Sequence, residues 1–177
     1  MRNIAFAAAL AALATPAASQ TVSMHAGETL VIKFDGGRAV VERIAAAEPM
    51  TKYEAYVLWR AEMEAIPPGV KTMPPAFVHE GEGPLDRPSI TSGRLQLTMR
   101  RVPGPEHEGT ALFLVNGYSS AFRYRAVMNA ADRGSAPTDV CAVPAQFPGL
   151  EYWPFVIDQI DLSDLRLEPS DGTVQCE

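Results

Sequence analysis

Serine, histidine and aspartate are the residue types with which this sequence could do chemistry. Ser119 lies in GYSSA (117–121), which differs at one position from the Gly-x-Ser-x-Gly elbow that presents a nucleophilic serine. That elbow needs a strand, a sharp turn and a helix, whereas the residues after Ser119 alternate as they do in a strand. No histidine follows His107, so the order Ser, Asp, His cannot be assembled. A hydrolase with an unrecognised site is therefore a second alternative, and a polar loop is the favoured interpretation.

His79 and His107 are the candidate metal ligands. His79 lies in VHEGEG and His107 in PEHEG, each beside acidic residues in a predicted loop. Imidazole and carboxylate groups bind zinc and copper, so a metal held between the two loops is one hypothesis. A site needs three or four converging ligands, and neither segment has two of them at metal spacing on a regular element. Solvated loop charges are the favoured interpretation, and the sequence indicates no cofactor.

Two further patterns are weaker. Met24 and His25 form a thioether–imidazole pair of the kind that binds copper, although one pair alone is little evidence. Asp158, Asp161 and Asp164 recur every third residue, whereas calcium loops place oxygens at alternate positions with a glycine at the turn. Side chains alternate along a strand, so a step of three puts successive carboxylates on opposite faces. The aspartates are predicted to lie on a solvated strand and to pair in part with arginines.

An aromatic segment is the candidate recognition surface. Tyr152, Trp153 and Phe155 lie in and beside a predicted loop over residues 144–154. Aromatic side chains in a Pro-bounded loop offer contact area at a small cost in conformational entropy, so these three could bind a ligand or a partner. The same side chains could fill one end of the core, which is the favoured interpretation because aromatic residues dominate cores.

The first half of the chain predicts a hairpin and then a helix. ETLVIKF (28–34) and RAVVERIAA (38–46) flank Asp35-Gly36-Gly37, as the strands of a hairpin flank its turn. Thr51 and Glu54 have the spacing of a capping box, and apolar residues then recur every three or four positions. This pattern predicts one helix near residues 52–65. Residues 67–93 follow as a long Pro- and Gly-rich loop that is either draped over the fold or functional.

The second half predicts strands throughout. Leucines and Met99 alternate with polar residues in RLQLTMRRV, which is the pattern of a half-buried strand. A second hairpin is predicted through Asn116-Gly117, and a last turn at Asp171-Gly172. The remaining strands are predicted at 110–115, 121–129, 138–143, 155–162, 165–168 and 173–176. Many short strands between turns indicate a mainly β, single-domain, sandwich-like fold with one short helix.

The N-terminus has the pattern of a cleavable secretory signal peptide. Arg2 precedes an apolar run that is too short to span a bilayer, and a stretch of small residues follows it. Cleavage is expected after Ser19, give or take two residues, which leaves 20–177 as one domain without a membrane span. Removing Arg2 takes the formal charge from −6 to −7. This acidic balance argues against nucleic acid as a partner, since such binding needs a basic patch.

The two cysteines, Cys141 and Cys176, predict one disulfide. An even pair without metal-type spacing in an oxidising compartment is most simply a disulfide bond. Closing a loop of about 36 residues would stabilise the fold by roughly 3–4 kcal/mol on the chain-entropy model. The bond would hold the end of the chain against fraying.

Four segments of the C-terminal third carry a resemblance: RYRAVM, SAPTDVCAV around Cys141, EYWPF and the closing DGTVQC. Over about residues 110–177 the chain resembles a group of uncharacterised small exported proteobacterial proteins. The resemblance implies a periplasmic address and supports the pairing of Cys141 with Cys176. It implies no activity.

These observations favour a non-enzymatic periplasmic binding or protein-interaction module. It would use loops such as 67–93 and 144–154 to contact an envelope protein or a small ligand, because Pro- and aromatic-containing loops are its most distinctive feature. The first alternative is a periplasmic metal-binding protein that uses His79 and His107. A β-sandwich hosts many functions, so the site has to be argued from its own residues.

Overall fold

The computed structural model describes residues 20–65, 87–103, 108–169 and Cys176, and for 62–65 it describes the backbone alone. Within this part the chain forms nine strands and one helix. Their bounds are β1 Val22–His25, β2 Glu28–Asp35, β3 Arg38–Ala46, α1 Lys52–Ala65, β4 Leu95–Val102, β5 Gly109–Asn116, β6 Ala121–Ala130, β7 Gly134–Thr138, β8 Pro148–Trp153 and β9 Gln159–Glu168.

The strands form two antiparallel sheets that pack face to face. Sheet A has the order β1-β9-β6-β7, and sheet B has the order β3-β2-β4-β5-β8. The predicted mainly β, sandwich-like fold with one short helix and one disulfide is confirmed.

The main core lies between the sheets. The core-forming residues recur at every second position of strands such as β2, β4 and β6, as the alternation of side chains along a strand requires. The fully buried side chains of sheet B are Leu30, Ile32, Leu95, Leu97, Met99 and Leu112, and those of sheet A are Met24, Phe122, Ile160 and Leu162. Phe34 of β2 reaches across to Phe122 of β6, with ring centroids 6.4 Å apart.

A second, smaller cluster lies on the outer face of sheet B, where α1 packs. Leu58 of the helix is buried against Val102, Ala111 and Phe113 of β4 and β5. As a result β5 is covered on both faces, and its sequence TALFLV has no polar alternation. The molecule therefore has three layers, with sheet B in the middle.

Several predicted elements are confirmed with their connections. The hairpin of β2 and β3 turns at Gly36 and Gly37, both of which have positive φ. Thr51 and Glu54 form the predicted capping box: the Glu54 amide donates to Thr51 Oγ1 at 3.1 Å, and the Thr51 amide donates to Glu54 Oε2 at 2.8 Å.

The predicted hairpin through Asn116-Gly117 is wrong, because β5 belongs to sheet B and β6 to sheet A. Asn116 is buried, and its Nδ2 donates to the carbonyl oxygens of Ser120, Val143 and Pro144. Gly117 allows a close approach of backbones, since a Cβ there would lie 1.9 Å from the Thr91 carbonyl oxygen. The Asn-Gly pair thus lies where the chain crosses from sheet B to sheet A, and it does not form a hairpin turn.

Two predictions after residue 130 are also wrong. Residues 144–154 do not form one loop, because β8 (148–153) pairs with β5 along six residues. The second is a turn at 132–137 followed by a strand at 138–143: Gly134–Thr138 instead forms β7 against β6, and residues 139–143 make isolated bridges such as Phe122–Val143. Helix α1 explains the first error. It covers the outer face of β8, so Leu150 and Tyr152 are apolar there and the strand loses its polar alternation.

The disulfide joins Cys141 to Cys176, 35 residues apart, as predicted. Of the predicted loop 67–93, residues 67–86 lie outside the described part of the chain, and 87–93 form no regular element. The predicted strand 173–176 also lies outside it, apart from Cys176. None of the described helical residues makes a helix long and apolar enough to cross a lipid bilayer.

Candidate functional site: a groove on the outer face of sheet B

Helix α1 covers one half of the outer face of sheet B, and over the other half the described part of the chain leaves a groove. We call it the outer groove. Its floor is formed by outward-facing residues of β2, β4 and β5. These are Thr29, Val31, Gln96, Thr98, Phe113 and Val115. Its walls are β3, the first turn of α1 and residues 88–94.

The outer groove consists of three adjoining cavities. The cavity between β3 and residues 89–94 has a volume of about 440 Å³. A second, of about 310 Å³, lies between β3 and the first turn of α1, and a third, of about 100 Å³, lies between that turn and the start of β8. The Gln96 side chain lines all three cavities and therefore marks the centre of the groove.

The polarity of the floor distinguishes the two halves of the outer face. Under α1 the sheet presents Val102, Ala111 and Phe113, which exclude water. Along the groove β4 instead presents Gln96 and Thr98, and the Thr98 hydroxyl hydrogen-bonds to that of Thr29 at 3.0 Å. A floor that mixes methyl groups with hydroxyl and amide groups suits a ligand with both apolar and hydrogen-bonding surface.

A β-bulge shapes the wall that β3 contributes. Val31 is paired with Arg43 and Ile32 with Val41, so Glu42 is an extra residue without a cross-strand partner. Consecutive residues of a regular strand point to opposite faces. Here Glu42 and Arg43 line the same cavity. The bulge thus places a carboxylate and a guanidinium side by side at the groove.

Glu42 is held by two cations. Lys33 Nζ contacts one of its carboxylate oxygens, and Arg94 Nε lies 3.0 Å from the other. The hydrogen bond from Lys33, with a smaller effect of Arg94, lowers the pKa of Glu42 below its usual value. Arg43, by contrast, has no hydrogen-bond or ion-pair partner among the described residues.

Arg100 fixes the wall formed by the first turn of α1. Its Nη1 donates to the Glu48 carbonyl oxygen, and its Nη2 lies 3.5 Å from Glu54 Oε2. The same Glu54 oxygen accepts from Thr51, so the cap of the helix and the preceding loop are attached to β4 through one carboxylate. Both terminal nitrogens of Arg100, Nη1 and Nη2, are engaged, which makes Arg100 a positioning residue.

Residues 88–94 form the opposite wall and are held by Gly117. The Gly117 amide donates to the Arg94 carbonyl oxygen at 2.8 Å, and the Gly93 amide donates to the Gly117 carbonyl oxygen at 3.0 Å. Arg87, next to this wall, lies over the ring of Phe147 at 5.7 Å from its centroid. The wall therefore has a defined place on the sheet.

The structure does not bring the three aromatic candidates together on one surface. Trp153 is 7% exposed, lies in the core between the sheets, and donates from Nε1 to Thr138 Oγ1 at 2.8 Å. Tyr152 faces the other way and packs with the cluster under α1. Phe155 packs against the main core, with the Arg133 guanidinium 4.3 Å from its ring centroid. Their placement fits the packing interpretation.

The remaining candidates are dispersed. His79 and His107 lie outside the described residues, so the metal hypothesis stays a prediction of the sequence. Met24 is buried in the core while His25 is exposed on the other face of β1, so the two do not form one ligand pair. Ser119 is exposed in a bend that leads into β6 rather than into a helix. Within the described ranges no three His, Cys, Asp or Glu side chains are placed to hold a metal ion.

The three aspartates do not all lie on one regular strand: Asp161 and Asp164 are in β9, whereas Asp158 precedes it and pairs with Arg101 of β4. Asp164 contacts Arg125 and Arg166, as predicted. Asp161 instead accepts hydrogen bonds from neutral side chains, which lower its pKa; the bond from Ser23 is the largest cause. None of the three lines the groove.

Sequence reasoning did not identify the outer groove, because its residues are spread over β2, β3, β4, β5 and 88–94. One available signal was the alternation in RLQLTMRRV, where Gln96, Thr98 and Arg100 share one face. No comparable pattern in the sequence indicates the bulge at Glu42. Comparisons of the chain with protein-family models, with curated proteins and with solved structures gave no match.

Proposed function

We propose that the protein is a non-enzymatic binding module of the periplasm, and that the outer groove holds a small polar ligand or a short segment of an envelope protein. The observation that carries the proposal is the groove itself. Three adjoining cavities run over a floor of mixed polarity, between walls that are fixed by the capping box, Arg100 and Gly117. Binding sites are typically such largely preformed concavities with a few placed polar groups.

The chemistry of the lining favours binding over catalysis. No histidine or cysteine occurs among the described lining residues. Glu54 is engaged by Thr51 and Arg100, and Glu42 by Lys33 and Arg94. A general base works best with a pKa near the operating pH, whereas the contact with Lys33 moves the pKa of Glu42 downward.

The periplasmic part of the proposal is supported by two features. Residues 1–19 have the pattern of a cleavable leader. The chain also contains a disulfide, and disulfides persist in oxidising compartments.

The test uses the full chain, produced with its own leader in a Gram-negative host and recovered by osmotic shock under non-reducing conditions. Four probes are titrated to about 10 mM, ten times a weak Kd of about 1 mM. They are tetra-alanine, its C-terminal amide, galacturonate and galactose. The backbone amide signals of Val31, Gln96 and Val115 are followed by nitrogen-15 NMR.

A pair of variants locates the binding. Gln96→Trp fills the centre of the groove and is expected to abolish saturable shifts. Val40→Trp is the matched control, because Val40 is 45% exposed on β3 and lies outside the groove lining. Saturable shifts that survive Val40→Trp and vanish in Gln96→Trp support the proposal. Failure of all four probes, or shifts that Gln96→Trp leaves unchanged, would overturn it. A chain retained in the cytoplasm with its leader uncleaved contradicts the periplasmic address.

A further inference from the structure

The cavity between β3 and residues 89–94 has a charge that differs in sign from that of the whole protein. The chain carries a formal charge of −6. Among the described residues, the ionic side chains that line this cavity are two arginines, Arg43 and Arg94, and one carboxylate, Glu42. The local balance is therefore one positive charge, in a molecule that otherwise repels anions.

The carboxylate does not occupy all the hydrogen-bond donors of the two guanidinium groups. Glu42 is already held by Lys33 from outside the cavity lining. Arg94 meets Glu42 through Nε, which lies 3.0 Å from Oε2. Arg43 has no hydrogen-bond or ion-pair partner among the described residues. Within the described part of the chain, the Arg43 guanidinium therefore keeps its donors for a ligand, beside the partly engaged guanidinium of Arg94.

The β-bulge gives this arrangement its geometry. Without the extra residue, Glu42 and Arg43 would point to opposite faces of the sheet. With it, the Arg43 side chain lines both the 440 Å³ cavity and the neighbouring 310 Å³ cavity, above Val31 and Gln96. Ser89 and Thr91 lie across from it. A guanidinium beside hydroxyl and amide groups matches the planar, hydrogen-bond-accepting shape of a carboxylate.

We propose, resting on the binding function above, that this cavity recognises the carboxylate of a singly charged ligand through Arg43 and Arg94. The single net positive charge suits a monoanion. A doubly charged phosphate would leave an excess negative charge next to Glu42, which is unfavourable. A peptide C-terminus and a sugar acid share the required group.

The experiment compares matched acids and neutral analogues on the full chain, with inorganic phosphate as a fifth probe. Tetra-alanine is expected to bind more tightly than its amide, and galacturonate more tightly than galactose. Arg43→Gln should weaken both acids about tenfold, since a charge-assisted contact is removed. It should leave the amide and galactose within about twofold. Arg38→Gln is the matched control, because Arg38 is exposed on the same strand and outside the groove lining.

The arms separate the possible outcomes. The acid that binds more tightly identifies the source of the carboxylate, peptide or sugar. The inference is overturned if the acids bind no more tightly than their neutral analogues, or if Arg43→Gln leaves the affinity of the acids unchanged. Either result would leave the proposed binding in the groove intact. Tighter binding of inorganic phosphate than of both acids also overturns the inference. If no probe shifts the backbone amide signals of the groove residues, both the proposed binding function and this inference are contradicted.

Discussion

At the residue scale, Glu151 is the least expected side chain of the fold. It is paired with Leu112 and faces the core between the sheets, where its Oε1 accepts the backbone N–H of Cys141 at 2.6 Å. Burial raises the pKa of Glu151, and the hydrogen bond from the Cys141 amide opposes this only in part. Burial, with the neighbouring Glu151, also raises the pKa of the Tyr124 hydroxyl.

The raised pKa of Glu151 predicts a pH dependence. A carboxyl whose pKa is higher in the folded state contributes stability that is complete below the unfolded pKa and is lost as pH rises through the folded pKa. The free energy of unfolding of the wild type, relative to that of Glu151→Gln, should therefore fall as the pH rises above the usual carboxyl range. Urea unfolding at a series of pH values measures this difference, in which the other titrating groups cancel.

Glu42 provides the control, because its pKa is shifted in the opposite direction. Its contribution is present above the unfolded pKa and is lost as pH falls, so the difference between wild type and Glu42→Gln should increase with pH. Equal slopes for the two variants would show that burial of Glu151 does not govern its titration.

The sequence could not reveal Glu151 as a core residue. It stands in EYWPF, where neighbouring aromatic residues suggested a recognition loop. In β8 the inward positions are Gly149, Glu151 and Trp153, and the outward ones include Leu150 and Tyr152. With α1 on the outside, both faces are covered, and the polar residue falls on the inner one. When both faces of a strand are buried, the alternation of polar and apolar residues no longer shows which side chains point into the core.

At the element scale, the helix was predictable and its docking was not. Capping is a local interaction, and the spacing of Thr51 and Glu54 was sufficient to place the start of α1. The sheet face that the helix covers depends on Leu58 meeting Phe113, more than fifty residues away. The order of strands within the sheets is nonlocal in the same way, which is why β5 and β6 were paired wrongly.

The cap predicts a measurable loss of stability. Thr51→Ala removes the hydroxyl that accepts the Glu54 amide, and it should lower the free energy of unfolding by about 1 kcal/mol. Thr51→Ser keeps that oxygen and is expected to stay within about 0.5 kcal/mol of the wild type. The urea midpoints of the three proteins test this. Equal losses in both variants would indicate that the threonine methyl group matters and the hydrogen bond does not.

At the scale of the whole molecule, composition and turn spacing were sufficient for the fold class. They predicted a sandwich with one helix and one disulfide, and the structure has these features. The outer groove emerges only when five separate segments are assembled. The orientation of its key residue, Arg43, depends on a β-bulge, and no pattern in the sequence predicts that bulge.

The disulfide predicts a global effect. Replacing Cys141 and Cys176 together by alanine should lower the free energy of unfolding by roughly 3–4 kcal/mol, since a loop of 35 residues is no longer closed in the unfolded chain. Thermal and urea unfolding of the double variant, compared with the oxidised wild type, measure the loss. If the double variant were as stable as the oxidised protein, the disulfide would contribute nothing to the free energy of unfolding.

The place of β9 in sheet A has a consequence for the order of folding. β9 lies between β1 and β6, so Val22 is paired with Leu162, across most of the chain. A nascent chain that lacks its last strand leaves β1 without a neighbour and β6 with only β7. Pairings of such long sequence separation form slowly, because the loop they close is long. Sheet A is therefore completed only after synthesis has passed β9, whereas every strand of sheet B precedes β9 in the chain.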